Sequence, residues 1–253
     1  MASTTTTNTD FPDSWADFLS SPPASPWHDS APKKLRKTAG LGSPDDIWTI
    51  WASYLSERKK PRDLKSLFST RRLPLLWALS EGVEDRGTPE LIERLGKKRE
   101  TVDSRLEEDA LVWMAEAAAS GHEAGYGFES VAWAAALPRL ASVFAPETWW
   151  SLLRHLATSS IDAAALPVEQ FPLLHQLLAA ETALTLAYLF PELPPCRKLG
   201  RAGRHAVAAG MEELLDGEGL PGAENMSLLR PLLACWTRCR ALGRRLPKDC
   251  FNK

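Results

Sequence analysis

The chain has 253 residues, 44% of them hydrophobic, so it is long enough and apolar enough to bury a large core. Its 30 basic residues nearly balance its 32 acidic ones, which leaves a net charge of −2. A protein that binds nucleic acid through the phosphates is usually strongly basic, so we expect no nucleic-acid partner.

The first residues, Met-Ala-Ser and four threonines, lack the basic start and the apolar stretch of a signal peptide. No run of about 18 apolar residues occurs in the sequence, so we expect no membrane-spanning helix and no membrane partner. Together with the presence of only four cysteines, these features predict a cytoplasmic protein with reduced thiols.

Residues 1–44 are rich in Pro, Ser and Thr and show no sustained hydrophobic period, which predicts a disordered or loosely docked segment. Four large apolar side chains interrupt this pattern and indicate that a short turn of the segment docks on the body. They are Trp15, Phe18, Leu19 and Trp27.

A helix start follows at Ser43-Pro44-Asp45-Asp46, with an N-cap serine, a proline at the first helical position and acids in the first turn. Glycines predict a break before residue 129, and Pro138 predicts a kink or a division of the helix that follows. These glycines are Gly121, Gly125 and Gly127. Further helices are predicted at 73–79, from Thr88, and at 103–119, 129–144, 145–157, 172–190, 194–215 and 225–242.

No segment alternates apolar and polar residues as a strand does, and Ala and Leu predominate over β-branched residues. The sequence therefore predicts an all-α domain over 45–243 and a tail over 244–253. Short breaks between long helices imply antiparallel neighbours, so 129–157 and 172–215 are predicted to be αα-hairpins. Their irregular spacing favours a partial α/α toroid over a tetratricopeptide or ankyrin array.

Trp149 and Trp150 are adjacent in a predicted helix, and adjacent positions do not point to the same face. We therefore expect one of the two side chains to be exposed or to lie at an interface. The acidic end of the helix over 194–215 opposes the helix dipole; a solvated turn is the favoured interpretation, and a cation or a basic partner is the alternative. Its acids are Glu212, Glu213, Asp216 and Glu218.

The sequence contains no glycine-rich phosphate loop, no Gly-x-Ser-x-Gly elbow and no His-Glu-x-x-His, so no cofactor is predicted. Cys235 and Cys239 share a helix face and amount to half a metal site. His205 and Cys250 are the nearby candidates for the remaining ligands, but the spacing matches no standard zinc pattern. We expect buried thiols and no metal.

Between Phe171 and Leu242 three features follow in order. An apolar helix carries His175, a Leu-Phe-Pro-Glu-Leu corner follows at 189–193, and a long helix ends at Asp216-Gly217 before the last helix. This order resembles the helical domain of heparinase II/III-type polysaccharide lyases. The resemblance implies an α/α toroid that precedes a β-sandwich domain, and cleavage of uronic-acid polysaccharides by β-elimination, in which a Tyr or His removes the C5 proton.

The resemblance makes His175 the candidate catalytic residue. Leu174 stands where the family has an asparagine that neutralises the uronate carboxylate, and Gln176 is the candidate substitute. Glu224 matches the family's acid after the Asp-Gly turn, but neither a tyrosine nor a histidine follows it. The chain ends at Lys253, where the family's β-sandwich would begin, so we expect a shortened relative that is inactive or only binds glycans.

The last helix supplies further candidate substrate-binding residues, because arginine forks suit carboxylates and sulfates and tryptophan stacks on sugar rings. These residues are Arg230, Trp236 and Arg238. A core position for Trp236 and local ion pairs for the arginines are the alternative. The candidate partner is an anionic polysaccharide; the other hypotheses are a helical protein–protein interaction module and self-association through apolar helix faces.

Overall fold

The computed structural model describes residues 27–29, 31–38, 44–68, 74–79, 87–97, 105–117 and 123–247. Within these ranges the chain is helical and forms no β-strand; an isolated antiparallel bridge joins Leu215 to Pro221. The predicted all-α fold class is therefore confirmed.

The α-helices are numbered here in chain order. Helix α7 runs from Pro172 to Leu189 without interruption and consists of α-helix Pro172–His175, π-helix Gln176–Thr182 and α-helix Ala183–Leu189. Short 3₁₀ helices occupy Lys65–Leu67, Leu76–Ala78 and Ala223–Leu228. The other α-helices are α1 Lys33–Thr38, α2 Pro44–Glu57, α3 Thr88–Gly96, α4 Leu106–Glu116, α5 Ala124–Leu140, α6 Pro146–Ala163, α8 Pro194–Leu214 and α9 Leu229–Gly243.

Proline marks the start of five of these helices, namely α2, α3, α6, α7 and α8. Proline suits this place because its missing N–H would have no intrahelical acceptor in the first turn. Acids in the first turn of α2, Asp45 and Asp46, add favourable interactions with the helix dipole. The predicted helix starts are confirmed at these positions.

Helix α5 differs from its prediction in two ways. It begins at Ala124 and includes Gly125 and Gly127, which we had expected to form a break, and it continues through Pro138 to Leu140 without division. The glycines are tolerated because this helix is buried along nearly its whole length, so tertiary packing outweighs their low helix propensity. Gly121 lies outside the described residues.

Helix α7 lies at the centre of the fold. It contacts α5, α6, α8 and α9, and every residue from Leu173 to Phe190 is buried. A helix that is apolar on all sides needs neighbours on all sides, which explains why the most apolar stretch of the chain occupies this place.

Trp149 and Trp150 are both buried, at 0% and 9% exposure, so the expectation that one of them would be exposed is wrong. Helix α2 covers the Trp150 ring: Trp51 stacks nearly parallel to Trp150 with ring centroids 6.5 Å apart. The Trp48 ring lies 5.5 Å from that of Trp149 and 6.4 Å from that of Trp150. The Trp149 indole N–H donates to the Leu137 carbonyl at 2.8 Å, which satisfies its buried polar atom.

The described part of residues 1–44 docks on the body. Trp27, Ala31 and Leu35 are buried, and the Trp27 ring lies 4.9 Å from that of Trp51. The His28 N–H donates to the Glu192 carbonyl at 2.7 Å, which ties this segment to the corner between α7 and α8. Three of the four apolar side chains singled out in this segment lie outside the described residues. They are Trp15, Phe18 and Leu19.

None of the helices in the described ranges is long and apolar enough to cross a membrane.

We predict that Trp149→Ala lowers the free energy of unfolding by about 3–5 kcal/mol, because it removes a fully buried indole, its hydrogen bond and its contacts with four neighbouring rings. Trp77→Ala is the matched control, since Trp77 is 49% exposed, and we expect a loss of less than about 1 kcal/mol. Denaturant unfolding followed by far-ultraviolet circular dichroism measures both values. Equal losses would contradict the buried position of Trp149.

Candidate functional site

The middle of α7 is a π-helix over Gln176–Thr182, and such segments are rare and often occur at functional sites. Two side chains bond to carbonyl groups of this segment. The Thr182 hydroxyl donates to the Leu177 carbonyl at 2.9 Å, and the Cys235 thiol of α9 donates to the Gln176 carbonyl at 3.4 Å. The wide turn is therefore supported both from within and from the neighbouring helix.

Two glycines allow the helices on either side to approach the π-helix closely. A Cβ atom on Gly210 of α8 would lie 2.1 Å from Gln176 Nε2, and one on Gly127 of α5 would lie 2.9 Å from Leu177 Cδ1. Neither distance leaves room for a methyl group unless the neighbour moves. Gly127, which we had interpreted as part of a break, is thus a packing residue.

Gln176 is fully buried and links three helices through its amide group. Its Nε2 donates to the Ala206 carbonyl of α8 at 2.9 Å and lies 2.9 Å from His175 Nδ1. Its Oε1 accepts a hydrogen bond from the Trp236 indole of α9 at 2.8 Å. Because both ends of the amide are engaged, this side chain serves the packing of α7 against α8 and α9.

Glu181 is also fully buried, and Arg238 of α9 neutralises it with a two-point contact. Arg238 Nε donates to Oε1 at 2.5 Å and Nη2 donates to Oε2 at 2.8 Å. Burial by itself lowers the pKa of Arg238, but the charge of Glu181 outweighs burial and raises that pKa above its usual value. Arg238 therefore stays charged, and its buried guanidinium depends on Glu181 as its partner.

Cys235 and Cys239 lie beside this ion pair, with their sulfur atoms 3.9 Å apart. Burial and then the neighbouring thiol raise the pKa of Cys235 well above its usual value, so it is a protonated thiol with little nucleophilic character. Within the described ranges no three His, Cys, Asp or Glu side chains converge as metal ligands. His205 is exposed on α8, and Cys250 lies outside the described residues.

The fold brings four of the six sequence-predicted site residues together. They are His175, Gln176, Trp236 and Arg238, which surround the π-helix and are all at least nine-tenths buried. Burial lowers the pKa of His175 and keeps the ring neutral at pH 7. In this conformation a polysaccharide does not reach these side chains, because neighbouring helices cover them.

The other two predicted residues lie near the start of α9. Arg230 donates from Nη2 to the Leu79 carbonyl at 2.6 Å, which fastens α9 to the segment over 74–79. Glu224 is exposed in the 3₁₀ helix Ala223–Leu228. Among the described residues, no hydrogen bond joins Arg230 or Glu224 to the buried side chains around Gln176.

A tyrosine–histidine contact does occur, at a place the resemblance did not indicate. Tyr126 Oη lies 2.8 Å from His155 Nε2 and 2.7 Å from Ser159 Oγ, and the Trp113 ring stacks on that of Tyr126. Burial raises the pKa of Tyr126 and lowers that of His155. A tyrosine that acts as a base in β-elimination needs the opposite shift, so this contact is poorly suited to proton abstraction.

An open cavity of about 590 Å³ lies at the corner between α7 and α8. Three exposed cations line it: Lys60 and Arg62 from the segment after α2, and Arg245 from the segment after α9. The buried Tyr188 hydroxyl accepts a hydrogen bond from the Arg62 N–H at 3.2 Å, which leaves its own hydrogen available to donate. Three prolines and Glu192 complete the wall, and the prolines are Pro61, Pro191 and Pro247.

Glu192 adds a negative charge to the wall, but its own neighbours compensate that charge. Tyr54 Oη donates to Oε1 at 2.5 Å and Arg58 Nη1 lies 3.4 Å from Oε2. Burial and the hydrogen bond to Glu192 raise the pKa of Tyr54, so this hydroxyl remains a donor. Since Arg58 balances Glu192, the three exposed cations leave the cavity with a positive field.

The cavity residues were missed from the sequence because they come from three distant segments. A local signal was present, since Lys60 and Arg62 flank Pro61 and Arg245 lies two positions before Pro247. Residues 244–247 had been assigned to a tail, but Leu246 is 6% exposed and packs into the core.

No protein-family description, no curated protein and no solved structure matches this chain.

We predict that Glu181→Leu or Arg238→Met alone lowers the free energy of unfolding by about 3–5 kcal/mol, because each leaves one buried charge without its partner. The double variant should recover most of that loss, since neither charge remains. Arg94→Met is the matched control: it breaks the partly exposed pair with Asp109, and we expect about 0–1 kcal/mol. A double-mutant cycle by urea unfolding measures the coupling, and additive losses would argue against it.

We predict that acid destabilises the fold as pH decreases below about 6.5, because burial holds the pKa of His175 and of His155 below that value. A folded-state pKa below the unfolded one gives stability that is complete above the unfolded pKa and is lost as pH decreases through the window between the two. His175→Asn should flatten the plot of unfolding free energy against pH just below about 6.5. His205→Asn, at an exposed position, is the control; an unchanged slope in His175→Asn would contradict the prediction.

Proposed function

We propose that this chain is a helical module that binds an anionic carbohydrate, of the class of uronate-bearing polysaccharides, in the basic cavity between α7 and α8. We further propose that its hairpins belong to a curved α/α layer, as the resemblance to heparinase II/III-type lyases implies. The observation that carries the binding proposal is the convergence of Lys60, Arg62 and Arg245 on one cavity of a chain whose net charge is −2.

The polar groups of the cavity suit a hydroxylated anion better than a bare anion. Arginine forks bind carboxylates and sulfates through paired N–H groups, and Lys60 adds a point charge. The Tyr188 hydroxyl accepts from the Arg62 N–H and can donate its own hydrogen to a ligand, while the spare lone pairs of the Glu192 carboxylate can accept from ligand hydroxyls. Sugars that carry a carboxylate present both kinds of partner.

The dimensions and rigidity of the cavity support the same proposal. Its volume of about 590 Å³ lies within the range of small-ligand sites, about 300–1,000 Å³. Pro61, Pro191 and Pro247 restrict the backbone around it, so little conformational entropy is lost when a ligand binds. A polymer bound there extends beyond the cavity, because the site is open to solvent.

We expect binding without cleavage. The candidate catalytic residue His175 is 3% exposed, and its Nδ1 is engaged by Gln176. In the one tyrosine–histidine contact found among the described residues, burial raises the pKa of Tyr126, which opposes proton abstraction by its phenolate. Incubation with alginate-like or heparin-like polymers should therefore give no increase in the ultraviolet absorbance of an unsaturated product.

We predict that Lys60→Gln/Arg62→Gln/Arg245→Gln weakens the binding of an oligouronate by at least about tenfold, which corresponds to about 1.4 kcal/mol. The cause is the loss of three charges that line the cavity. The matched control Lys34→Gln/Lys37→Gln/Lys97→Gln removes the same charge from exposed positions that do not line it. Isothermal titration calorimetry with an alginate-like oligouronate, a sulfated heparin-like oligosaccharide and a neutral oligosaccharide measures the affinities.

Two outcomes would contradict this proposal. Equal losses in the cavity variant and in its control would mean that binding follows net charge and not the cavity. Equal affinity for the neutral and the acidic oligosaccharide would mean that the cations do not recognise the ligand. If the sulfated probe binds more tightly than the oligouronate, the cavity remains the binding site, and the anionic group that it recognises is a sulfate and not a carboxylate.

A helical protein–protein interaction module is the second candidate function. It is favoured by three large apolar side chains that are about half exposed near the start of α9: Trp77, Met226 and Leu233. Leu233 follows Arg230 by three positions on the same helix face, and Arg230 bonds to the segment that carries Trp77. If this second candidate function is correct, none of the glycan probes binds. The chain then binds a protein partner in a stoichiometric amount, and Trp77→Ser/Leu233→Ser abolishes that binding.

A further inference from the structure

The outer face of α8 is divided by charge along its length. Its exposed residues recur at spacings of three and four, as expected for one face of a helix. The first half of this face carries Lys198, Arg201, Arg204 and His205, whereas the second half and the turn that follows carry Glu212, Glu213, Asp216 and Glu218. Ala208 and Met211 lie between the two halves, and Met211 is 43% exposed.

This charge order works against the stability of the isolated helix. A helix dipole favours acids in the first turn and bases in the last turn, yet α8 has neither. Glu212 and Glu213 lie in its last turn, where the dipole repels negative charge. The helix dipole therefore does not explain the order of charges on this face.

The charges on this face of α8 are complementary to those on the same face of an antiparallel second copy. Arg204 and Glu212 lie four positions before and after Ala208, Lys198 lies nearer the start of α8, and Glu218 lies in the turn beyond its end. An antiparallel copy of the same helix, crossing at Ala208, would place bases opposite acids on both sides of the crossing. A two-fold axis generates each of these pairs twice, as in isologous interfaces.

We propose that a second copy of this chain binds to the outer face of α8, with the two α8 helices antiparallel and crossing near Ala208. The small Ala208 side chain permits close approach, and Met211 supplies apolar contact beside it. Arg204 of each copy faces Glu212 of the other, and Arg201 faces the acidic turn around Asp216. The inference is independent of the proposed glycan binding, because the basic cavity is lined by other residues.

The dimer is expected to be weak and sensitive to salt. Exposed ion pairs contribute about 0–1 kcal/mol each, and a single pair of helices buries less than the 1,200 Å² or so of a stable interface. Association should be strongest in about 0.01 M salt, where the Debye length is about 30 Å, and should disappear near 1 M, where it is about 3 Å.

Two charge-reversal variants test the proposal by sedimentation equilibrium at low salt. One is Lys198→Glu/Arg201→Glu/Arg204→Glu, and the other is Glu212→Lys/Glu213→Lys/Glu218→Lys. Each alone should associate at least about tenfold more weakly than the unmodified chain, because like charges then face each other. An equimolar mixture of the two should associate again, since each of the two crossing pairs at positions 204 and 212 then joins an acid to a base, one with the original signs and one with the signs reversed. Helix content by circular dichroism verifies that both variants fold.

A third variant separates a specific interface from attraction between oppositely charged molecules. Lys34→Glu/Lys37→Glu/Lys97→Glu has the same net charge as the first variant but leaves α8 unchanged. Its mixture with Glu212→Lys/Glu213→Lys/Glu218→Lys should associate less than the mixture of the two α8 variants. The proposal is overturned if both mixtures associate equally, or if the unmodified chain is monomeric at low salt.

Discussion

The fold depends on the need to neutralise one buried charge. Helix α7 is covered on all sides, and Glu181 lies within its π-helical segment without contact with water. A carboxylate in that position is very costly unless a cation with good geometry joins it, and Arg238 provides two parallel hydrogen bonds. The partner cation comes from α9, so the last helix must dock in one register. An ion pair of this kind adds little net stability, but it discriminates against alternative packings of apolar helices.

Close packing against α7 accounts for how α8 divides its two faces. Gly203 and Gly210 let α8 approach the π-helix, where a Cβ on Gly203 would lie 3.0 Å from the Ala180 carbonyl oxygen. Beyond Arg197 the buried residues of α8 are glycine, alanine and leucine, and the helix carries its remaining charges on the outer face. Small residues on the inner face therefore determine how closely α8 packs against α7. The order of charges on the outer face is free to serve recognition.

Much of the fold could be predicted from local signals, because proline and first-turn acids act within a few residues. Pro44, Pro146, Pro172 and Pro194 each mark a helix start at the expected place. Gly127 of α5 was misinterpreted because its role depends on Leu177, fifty positions away, which local propensity does not include. Trp150 was misplaced for the same reason: the α2 rings that cover it are distant in sequence. The basic cavity joins three segments, so only the fold brings its cations together.

The buried hydrogen-bonded side chains around Gln176 and the exposed side chains at the rim of the basic cavity differ in how readily they can bind a ligand. Gln176, Glu181, Trp236 and Arg238 have satisfied their hydrogen bonds with one another, so a ligand that displaced them would have to replace every one of those bonds. At the rim the situation is reversed: the Tyr188 hydroxyl has a hydrogen to donate, and Lys60, Arg62 and Arg245 are exposed. A ligand there adds interactions and removes none. Recognition at the helix ends, with the interior as a rigid support, therefore requires the smaller free-energy change.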